Sequence, residues 1–248
     1  MPAMNPQDGN VGNLGDVLKH AALVQLAKLF AEHMSGEKYY LDSHSYLYQS
    51  NLVNTEWRQQ TAALRSQSVL YQDYIDLETA YINQGEYLCS SGIVNKIIPD
   101  AHLLLCESNR STREWLLQQL ADNKVTYHTV KAQLVKWAKR KSFKKLPNLL
   151  MLLDPFELTD SLWKSVNRCI GKMLDDNAEA IILVFDYTTQ TDKVWPVSQK
   201  RWQGPVACIS MPPYRLAAYA TEQLRPATLT LLLELGWSSC MDMTLQKA

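Results

Sequence analysis

The chain has 248 residues, and its 25 Lys and Arg balance its 25 Asp and Glu, so its formal net charge at pH 7 is zero. This balance excludes a globally basic nucleic-acid coat protein and an acidic disordered tail. Hydrophobic residues make up 46% of the chain and charged residues only 20%, which favours a large buried core over disorder. No apolar run approaches the roughly 18 residues of a membrane span, and no leader peptide is visible, so we expect a cytoplasmic protein without membrane contact.

Helical and strand-like patterns alternate along the chain. The first helix is predicted from Leu14 to His33, where apolar residues recur near the 3.6-residue period. Seven short apolar runs are predicted to be strands, at residues 38–42, 102–107, 125–129, 149–154, 180–186, 206–211 and 228–235. Such alternation indicates βαβ units, and therefore an α/β fold whose seven-stranded, mostly parallel sheet forms a single domain over residues 1–248.

The stretch between the first two predicted strands is longer than a simple crossover needs. Its central part, residues 51–87, is rich in Gln, Tyr and Leu and is compatible with helices. Loops that follow strands are where folds of this kind add parts for substrate recognition. We therefore predict a helical insertion at residues 51–87 within the single domain.

Acidic residues end several of the predicted strands, where doubly wound sheets bind their ligands. Asp42 ends the first strand, Glu107 the second, Asp154 the fourth and Asp186 the fifth. Any one of them has an ordinary alternative role as a cap of the following helix. Glu107 is also placed to accept hydrogen bonds from a ribose hydroxyl pair, so the order of these residues favours a nucleotide-type ligand.

Four segments resemble a known family. They are Gly12-Asn13-Leu14-Gly15-Asp16-Val17-Leu18-Lys19-His20, Leu41-Asp42-Ser43-His44, Cys106-Glu107 and Leu153-Asp154-Pro155. Together they are similar to the S-adenosylmethionine-dependent methyltransferases that modify N6 of an adenine in large-subunit ribosomal RNA. The resemblance covers nearly the whole chain. It implies a Rossmann-like class I methyltransferase fold that carries an N-terminal helix and an inserted helical subdomain.

The resemblance also implies a binding site for S-adenosylmethionine. The implied cofactor-binding residues are Lys19, His20, Asp42, His44, Ser90 and Glu107. Lys19 and His20 would lie near the amino-acid end of the cofactor, and Glu107 would hold its ribose. The serine that contributes before the second strand is matched by Ser90 or by Ser91.

The implied catalytic segment is Asp154-Pro155-Phe156. An exocyclic adenine amine is a poor nucleophile because its lone pair is delocalised into the ring. A carboxylate and a neighbouring carbonyl that accept its two N–H bonds direct the lone pair at the sulfonium methyl, which is catalysis by positioning and electrostatics. Phe156 is the nearest aromatic residue that could stack on a base swung out of its surroundings.

Three positions differ from the family's pattern. His44 is followed by Ser45-Tyr46-Leu47-Tyr48 instead of a glycine-rich turn. Asp154-Pro155-Phe156-Glu157 stands in place of Asp-Pro-Pro-Tyr, and Lys131 falls near the position of an acid that contacts the cofactor's adenine. The later string Met211-Pro212-Pro213-Tyr214 contains Pro-Pro-Tyr, but it follows the sixth strand and is predicted to be a turn.

One segment of the chain is strongly basic. Residues 123–153 contain eight Lys and Arg and no Asp or Glu. Two interpretations stay open for it: a solvated helix and loop, or a strip that binds the phosphates of RNA. The residues of the predicted RNA-binding strip are Lys136, Lys139, Arg140, Lys141, Lys144 and Lys145.

The sequence supports three hypotheses of function. The first is methyl transfer from S-adenosylmethionine to N6 of an adenine in structured RNA such as ribosomal RNA. The second is a catalytically degenerate, methyltransferase-like module that binds RNA, and the third is a methyltransferase for DNA or a small molecule. No metal site is predicted, because His33, His102 and His128 lack spaced acidic or cysteine partners.

Overall fold

Helices and strands alternate in the computed structural model, which describes residues 11–51, 57–66, 68–131, 146–154, 160–176, 179–187, 204–211 and 213–239. The helices are α1 (Leu14–His33), α2 (Trp57–Arg65), α3 (Tyr71–Ile82), α4 (Ser90–Ile97), α5 (Arg110–Asp122), α6 (Asp160–Asp176) and α7 (Arg225–Glu234). The strands are β1 (Tyr39–Asp42), β2 (Gln49–Asn51), β3 (Glu86–Leu88), β4 (His102–Cys106), β5 (Tyr127–Lys131), β6 (Asn148–Leu153), β7 (Glu179–Tyr187), β8 (Ala207–Met211), β9 (Tyr214–Ala220) and β10 (Ser238–Ser239).

Eight of the described strands form one mixed sheet in the order β10-β8-β9-β7-β6-β1-β4-β5. Strands β5, β4, β1, β6 and β7 pair in parallel. Strand β9 runs antiparallel to both β7 and β8, and β10 is antiparallel to β8. The chain builds outward from β1 through β4 to β5 and then continues on the other side with β6 and β7. The order therefore reverses between β1 and β6, as it does in doubly wound sheets.

The carboxyl-terminal part of the sheet differs from the sequence prediction. The predicted strand at 228–235 is wrong, because helix α7 covers Arg225–Glu234. Pro226 lies in its first turn, which suits a helix start, and Gly236 with φ +82° follows its end. The sheet also contains β9, which was not predicted, since its alanines have low strand propensity. Small side chains suit this buried position between β7 and β8.

Apolar side chains cover both faces of the central strands. All six residues of β6 are buried, and the five from Leu149 to Leu153 alternate between two hydrophobic clusters. Leu150 and Leu152 belong to the cluster that includes α1, α4, α5 and α7, whereas Met151 and Leu153 pack with α6. A parallel strand covered on both faces reads as a continuous apolar run, which explains why β6 is recognisable from the sequence.

Helix α1 lies inside the protein. Its first turn is capped by Asn13, whose side chain accepts a hydrogen bond from the Asp16 amide at 3.1 Å. The helix packs against α2, α3, α4, α7 and β7, so most of its residues are buried. Lys19 and His20 are buried too, at 7% and 4% exposure. Buried polar side chains need hydrogen-bond or charged partners, so we expect both residues to have such partners in the interior.

The segment between β1 and α4 contains α2 and α3, which lie between β2 and β3 in the chain. Strands β2 and β3 pair antiparallel and close this segment at its base. Gln25 and Lys28 of α1 hold it from the other side, because both contact the Asp73 carboxylate, at 2.8 and 2.6 Å. The insertion predicted at 51–87 includes both helices, and its status as a distinct part of one domain stays a prediction.

Three features of the described residues bear on the class of protein. No helix there is long and apolar enough to cross a membrane. No group of three or more His, Cys, Asp or Glu residues is arranged to hold a metal ion in those same ranges. The described cysteines, Cys89, Cys106, Cys169 and Cys208, are thiols and not disulfides. Burial raises the pKa of Cys89 and Cys169, to about 12 for Cys169, so these two thiols stay protonated and unreactive.

Candidate active site

The ends of β1 and β6 meet where the strand order reverses. Asp42, the last residue of β1, is in register with Leu152, so β6 extends one residue past it to Leu153 and is followed directly by Asp154. The Ser43 amide donates to the Leu152 carbonyl at 3.0 Å, and the Asp154 amide donates to the Ser43 hydroxyl at 3.1 Å. These bonds fix the two strand ends against each other. The predicted catalytic acid therefore lies at the place where doubly wound sheets bind their ligands.

Lys19 joins α1 to this strand end. Its Nζ lies 2.6 Å from Asp154 Oδ2 and 2.9 Å from Asp16 Oδ1, and 5.3 Å from the centre of the Phe185 ring. Burial alone would lower the pKa of Lys19, but the carboxylates of Asp154 and Asp16 outweigh burial and hold the pKa well above its usual range. Lys19 is therefore a permanent buried cation, and it compensates the charge of Asp154.

Asp42 is fully buried beneath the same strand end. Its Oδ2 accepts hydrogen bonds from the hydroxyls of Ser90 and Tyr40, the latter at 3.1 Å, and its Oδ1 accepts from the His44 amide at 3.1 Å. Burial raises the pKa of Asp42 to about 6, while the Ser90 hydrogen bond opposes this shift and the nearby Asp154 adds to it. Asp42 thus ties β1, α4 and the following turn together.

The turn after β1 crosses to the end of β4. The Ser45 amide donates to the Cys106 carbonyl at 2.7 Å, which prolongs the pairing of the two strands. Tyr48 is buried, and its hydroxyl donates to Asn95 of α4 at 3.3 Å, so the ring is directed along α4 and away from Ser90 at the start of that helix. Gln119 of α5 accepts from the Tyr48 amide at 3.0 Å. The turn is held on several sides without the glycines of the family pattern.

Two polar groups in this turn bear on ligand binding. The Ser45 hydroxyl is buried and has no hydrogen-bond partner among the described residues. His44 Nδ1 lies 2.8 Å from the Ser43 hydroxyl. Burial lowers the pKa of His44, against the opposing effect of Asp154, so the ring is neutral at pH 7. Orphaned buried polar groups are rare in proteins, and they mark places where a ligand or water supplies the missing bond.

Glu107 follows β4 directly, one strand away from Asp42. Its Oε1 accepts from the Asn109 amide at 2.6 Å, and Arg113 donates to its carbonyl at 3.0 Å. Burial raises the pKa of Glu107, while the Asn109 amide opposes the shift. Its position at the second strand end is the one that the sequence predicts for a ribose-binding carboxylate.

His20 faces the helical segment between β2 and β3. Its Nδ1 lies 2.9 Å from the Tyr87 hydroxyl, which lies 3.1 Å from the Tyr74 hydroxyl. Trp57 extends this chain, because its Nε1 donates to the Tyr74 hydroxyl at 3.1 Å. His20 thus has a set of buried contacts that the sequence does not indicate, and its direct role at the cofactor stays a prediction. Asp16, which bonds Lys19, is a site residue that sequence reasoning missed, although it lies inside the N-terminal string.

The burial of His20 predicts a pH dependence of stability. Burial lowers the pKa of His20 to about 3, and the charge of Lys19 adds to this effect while that of Asp16 opposes it. Below pH 6.5, His20 therefore binds a proton in the unfolded chain but not in the folded chain. The free energy of unfolding consequently decreases as the pH falls from 6.5 toward 3. In His20→Asn, which keeps a polar partner for Tyr87 but does not titrate, this contribution is absent.

We expect the unfolding free energy of the wild type to fall faster than that of His20→Asn between pH 6.5 and 5, with a difference in slope that rises to about 1.4 kcal/mol per pH unit near pH 5. Urea unfolding at a series of pH values measures both slopes. The opposite trend of Asp42, whose raised pKa favours the folded state at lower pH, is common to both proteins and cancels in the difference. Parallel slopes would show that His20 is not held neutral in the fold.

Several predicted site residues lie outside the described residues. These are Pro155 and Phe156 of the catalytic segment and the whole predicted RNA-binding strip, Lys136, Lys139, Arg140, Lys141, Lys144 and Lys145. Lys131 is the last residue of β5, and its backbone is in register with Cys106. The structure brings together Lys19, Asp42, His44, Ser90 and Asp154, and it places Glu107 at the adjacent strand end.

The chain is similar to known proteins in its fold. No protein-family model matches the chain, and no curated protein sequence is significantly similar to it. A protein of family DUF519 from Legionella pneumophila strain Philadelphia 1 has a TM-score of 0.62 and 19% identity, over 90% of this chain and 91% of that chain. The yhhF protein of Escherichia coli, described as a candidate methyltransferase, has a TM-score of 0.41 and 20% identity, over 53% of this chain and 71% of that one. The plantazolicin methyltransferase BpumL, solved with S-adenosylhomocysteine, has a TM-score of 0.37 and 10% identity, over 73% of this chain and 50% of that one.

At these identities the likeness describes the fold alone. The parallel strands β5, β4, β1, β6 and β7 are followed by β9, which lies antiparallel beside β7. With helices on both faces of this sheet, the protein has a Rossmann-like class I methyltransferase fold, and the predicted fold class is confirmed. The sheet has eight described strands where seven were predicted.

Proposed function

We propose that the protein transfers a methyl group from S-adenosylmethionine to N6 of an adenine in structured RNA. The observation that carries this proposal is the position of Asp154 at the carboxyl end of β6, fixed by Ser43 of the neighbouring strand end and by Lys19 of α1. The N-terminal string that supplies Lys19 and the strand end that supplies Asp154 are two of the four segments on which the resemblance to adenine-N6 methyltransferases rests.

The residues at the strand ends fit the proposed cofactor. Glu107 would accept hydrogen bonds from its ribose hydroxyls, because it is a half-buried carboxylate at the end of β4. The turn from Asp42 to Ser45 would hold its amino-acid part, where the buried Ser45 hydroxyl has no partner among the described residues. When bound, S-adenosylmethionine supplies an electrophilic methyl group on a sulfonium.

The protein's own contribution is positioning. Asp154 would accept a hydrogen bond from the exocyclic amine of the target base and orient its lone pair. Lys19 bonds Asp154 Oδ2, so it fixes the orientation of this carboxylate and compensates its charge. The ion pair is largely shielded from water, and electrostatic interactions in such an environment are stronger than in bulk solvent. No covalent intermediate with the enzyme is required.

Calorimetric titration with S-adenosylhomocysteine tests the cofactor part of this proposal. The wild type is expected to bind, and Glu107→Ala is expected to bind at least about tenfold more weakly, since a hydrogen bond to a charged group contributes roughly 1.5–3 kcal/mol. The matched control is Glu114→Ala, which removes an exposed carboxylate of α5 that pairs with Arg110. Absence of binding by the wild type at millimolar concentration would overturn the enzymatic function.

The turn after β1 favours one alternative, a catalytically degenerate module that binds RNA. Ser45-Tyr46-Leu47-Tyr48 has no glycine, and both Leu47 and Tyr48 are buried in the protein. Such a module would not bind S-adenosylhomocysteine, but it would bind RNA in a salt-dependent way that Asp154→Ala leaves unchanged. In both functions, the basic strip around Lys139 and Lys144 is proposed to contact RNA phosphates.

A further inference from the structure

Three aromatic rings form a row at the end of β7 and the start of β9, and the first of them, Phe185, lies beside Lys19. The ring centres of Phe185 and Tyr214 are 5.9 Å apart, and those of Tyr214 and Tyr187 are 5.6 Å apart. Lys19 lies over the Phe185 ring at 5.3 Å. The rings therefore form a continuous row that begins at the buried cation and ends at Tyr187, which is 51% exposed.

This row lies on the same side of the sheet as Asp154. Leu153 is in register with Val184, and both pack with α6. Side chains alternate along a strand, so Asp154 and Phe185, one residue further on, both face α1, as the contacts of each with Lys19 confirm. Tyr187 is two residues beyond Phe185, so it lies about 7 Å further out than Asp154, on the neighbouring strand.

The row is held rigidly from behind. Tyr187 is directly opposite Tyr214 across the β7–β9 pair, and the preceding pair, Asp186 and Arg215, forms an ion pair in which Asp186 is fully buried. Gly15 of α1 packs against the other side, since a Cβ there would lie 2.6 Å from Tyr214 Cε1 and 2.9 Å from Phe185 Cζ. Tyr214 is thus fixed between α1 and the sheet and supports the exposed ring of Tyr187.

We propose that Tyr187, supported by Tyr214, is a stacking site for the nucleobase next to the target adenine. This inference rests on the proposed function and adds a substrate-binding residue to it. A rigid, exposed aromatic ring about 7 Å beyond the catalytic acid suits a base one nucleotide along the strand when the target base is turned toward Asp154. Every base has a π-face, so Tyr187 contributes affinity without reading the sequence.

The stacking site accounts for the last residue of the Met211-Pro212-Pro213-Tyr214 string. Met211 is in register with Tyr214, so the connection between β8 and β9 is tight. This connection brings Tyr214 to the carboxyl end of β7, although the string is far from the β6 end in sequence. The aromatic residue of the string therefore takes part in substrate binding at the edge of the site, and the acid is supplied by Asp154.

Binding of single-stranded RNA of about nine nucleotides tests the stacking site. The probe is oligouridine with one central adenosine, compared with the same probe carrying an abasic nucleotide on either side of the adenosine, and fluorescence anisotropy gives Kd. We expect Tyr187→Ala to raise Kd about tenfold or more for the intact probe, and Tyr187→Phe to restore most of the affinity. On the probe whose abasic position faces Tyr187, wild type and Tyr187→Ala should bind within about twofold of each other.

A matched control is Tyr127→Ala, because Tyr127 is 39% exposed at the start of β5, an edge strand separated from β7 by β6, β1 and β4. It should leave Kd within about twofold. Equal Kd for wild type and Tyr187→Ala, or the same loss in Tyr187→Phe, overturns the stacking site. The stacking site is also overturned if Tyr187→Ala raises Kd by the same factor on both abasic probes as on the intact probe. Methyl transfer is not needed for this test, so failure of the stacking site is distinguishable from failure of the proposed enzyme.

Discussion

Asp154→Asn is expected to lower kcat for methyl transfer at least about 100-fold, while its affinity for S-adenosylhomocysteine stays within a few-fold of the wild type. The substitution keeps the shape of the side chain but replaces a charged acceptor at the β6 end by a neutral amide. Losing one preorganised electrostatic contact to a reacting group typically costs a factor of 100 to 1,000 in kcat. Steady-state methyl transfer, with RNA and S-adenosylmethionine in saturating excess over enzyme, measures kcat of each protein.

The matched control for Asp154→Asn is Asp122→Asn, which removes an exposed carboxylate at the end of α5. It should retain wild-type kcat. Of the two substitutions, only Asp154→Asn removes a charge that pairs with Lys19. Circular dichroism of both variants therefore checks that each keeps the fold. A kcat within tenfold of the wild type for Asp154→Asn would contradict its role as the acceptor for the target amine.

Lys19→Met is expected to lower the free energy of unfolding by about 3–5 kcal/mol at pH 7. The substitution leaves the carboxylates of Asp16 and Asp154 without the cation that both contact, at 2.9 and 2.6 Å. The loss should shrink at lower pH, because burial raises the pKa of Asp16 once Lys19 no longer opposes that effect, and protonation then relieves the uncompensated charge. Urea unfolding at pH 7 and pH 5 measures both parts.

Lys28→Met provides the control for a lysine of the same helix. Lys28 pairs with Asp73 at 2.6 Å, but both side chains are about 40% exposed, at 41% and 42%, so solvent screens the pair. Its loss should cost at most about 1 kcal/mol. The double variant Lys19→Met/Asp154→Asn should recover part of the stability that Lys19→Met loses, because one uncompensated charge is gone. A loss below about 1 kcal/mol for Lys19→Met would show that the cluster is not electrostatically coupled.

The strand-end acids could be predicted because a local rule applies to them. A buried parallel strand such as β6 is a continuous apolar run in the sequence, so the polar residue that ends it, Asp154, is visible without knowledge of the fold. The doubly wound arrangement then places the ends of β1, β4 and β6 side by side. For the same reason Asp42 and Glu107 were recognised as candidates from the sequence.

The contacts between these residues could not be predicted, because they depend on packing over long distances in the chain. Lys19 and Asp154 are 135 residues apart, and their ion pair exists only because α1 crosses the sheet at the β6 end. The alanines of β9 form a strand because small side chains fit between β7 and β8, which overrides their low strand propensity. Helix α7 shows the reverse error, since its run of Thr and Leu resembles a strand locally.

Methyl transfer to RNA tests the proposed function most directly. The purified protein would be incubated with methyl-labelled S-adenosylmethionine and, in parallel, with undermodified ribosomal RNA, DNA and a pool of metabolites, and the labelled product would be digested and identified by mass spectrometry. The expected result is label in ribosomal RNA, recovered as N6-methyladenosine, and its absence with Asp154→Asn. Label in DNA or a metabolite alone, or no transfer to any substrate despite bound RNA, would contradict methylation of RNA by this protein.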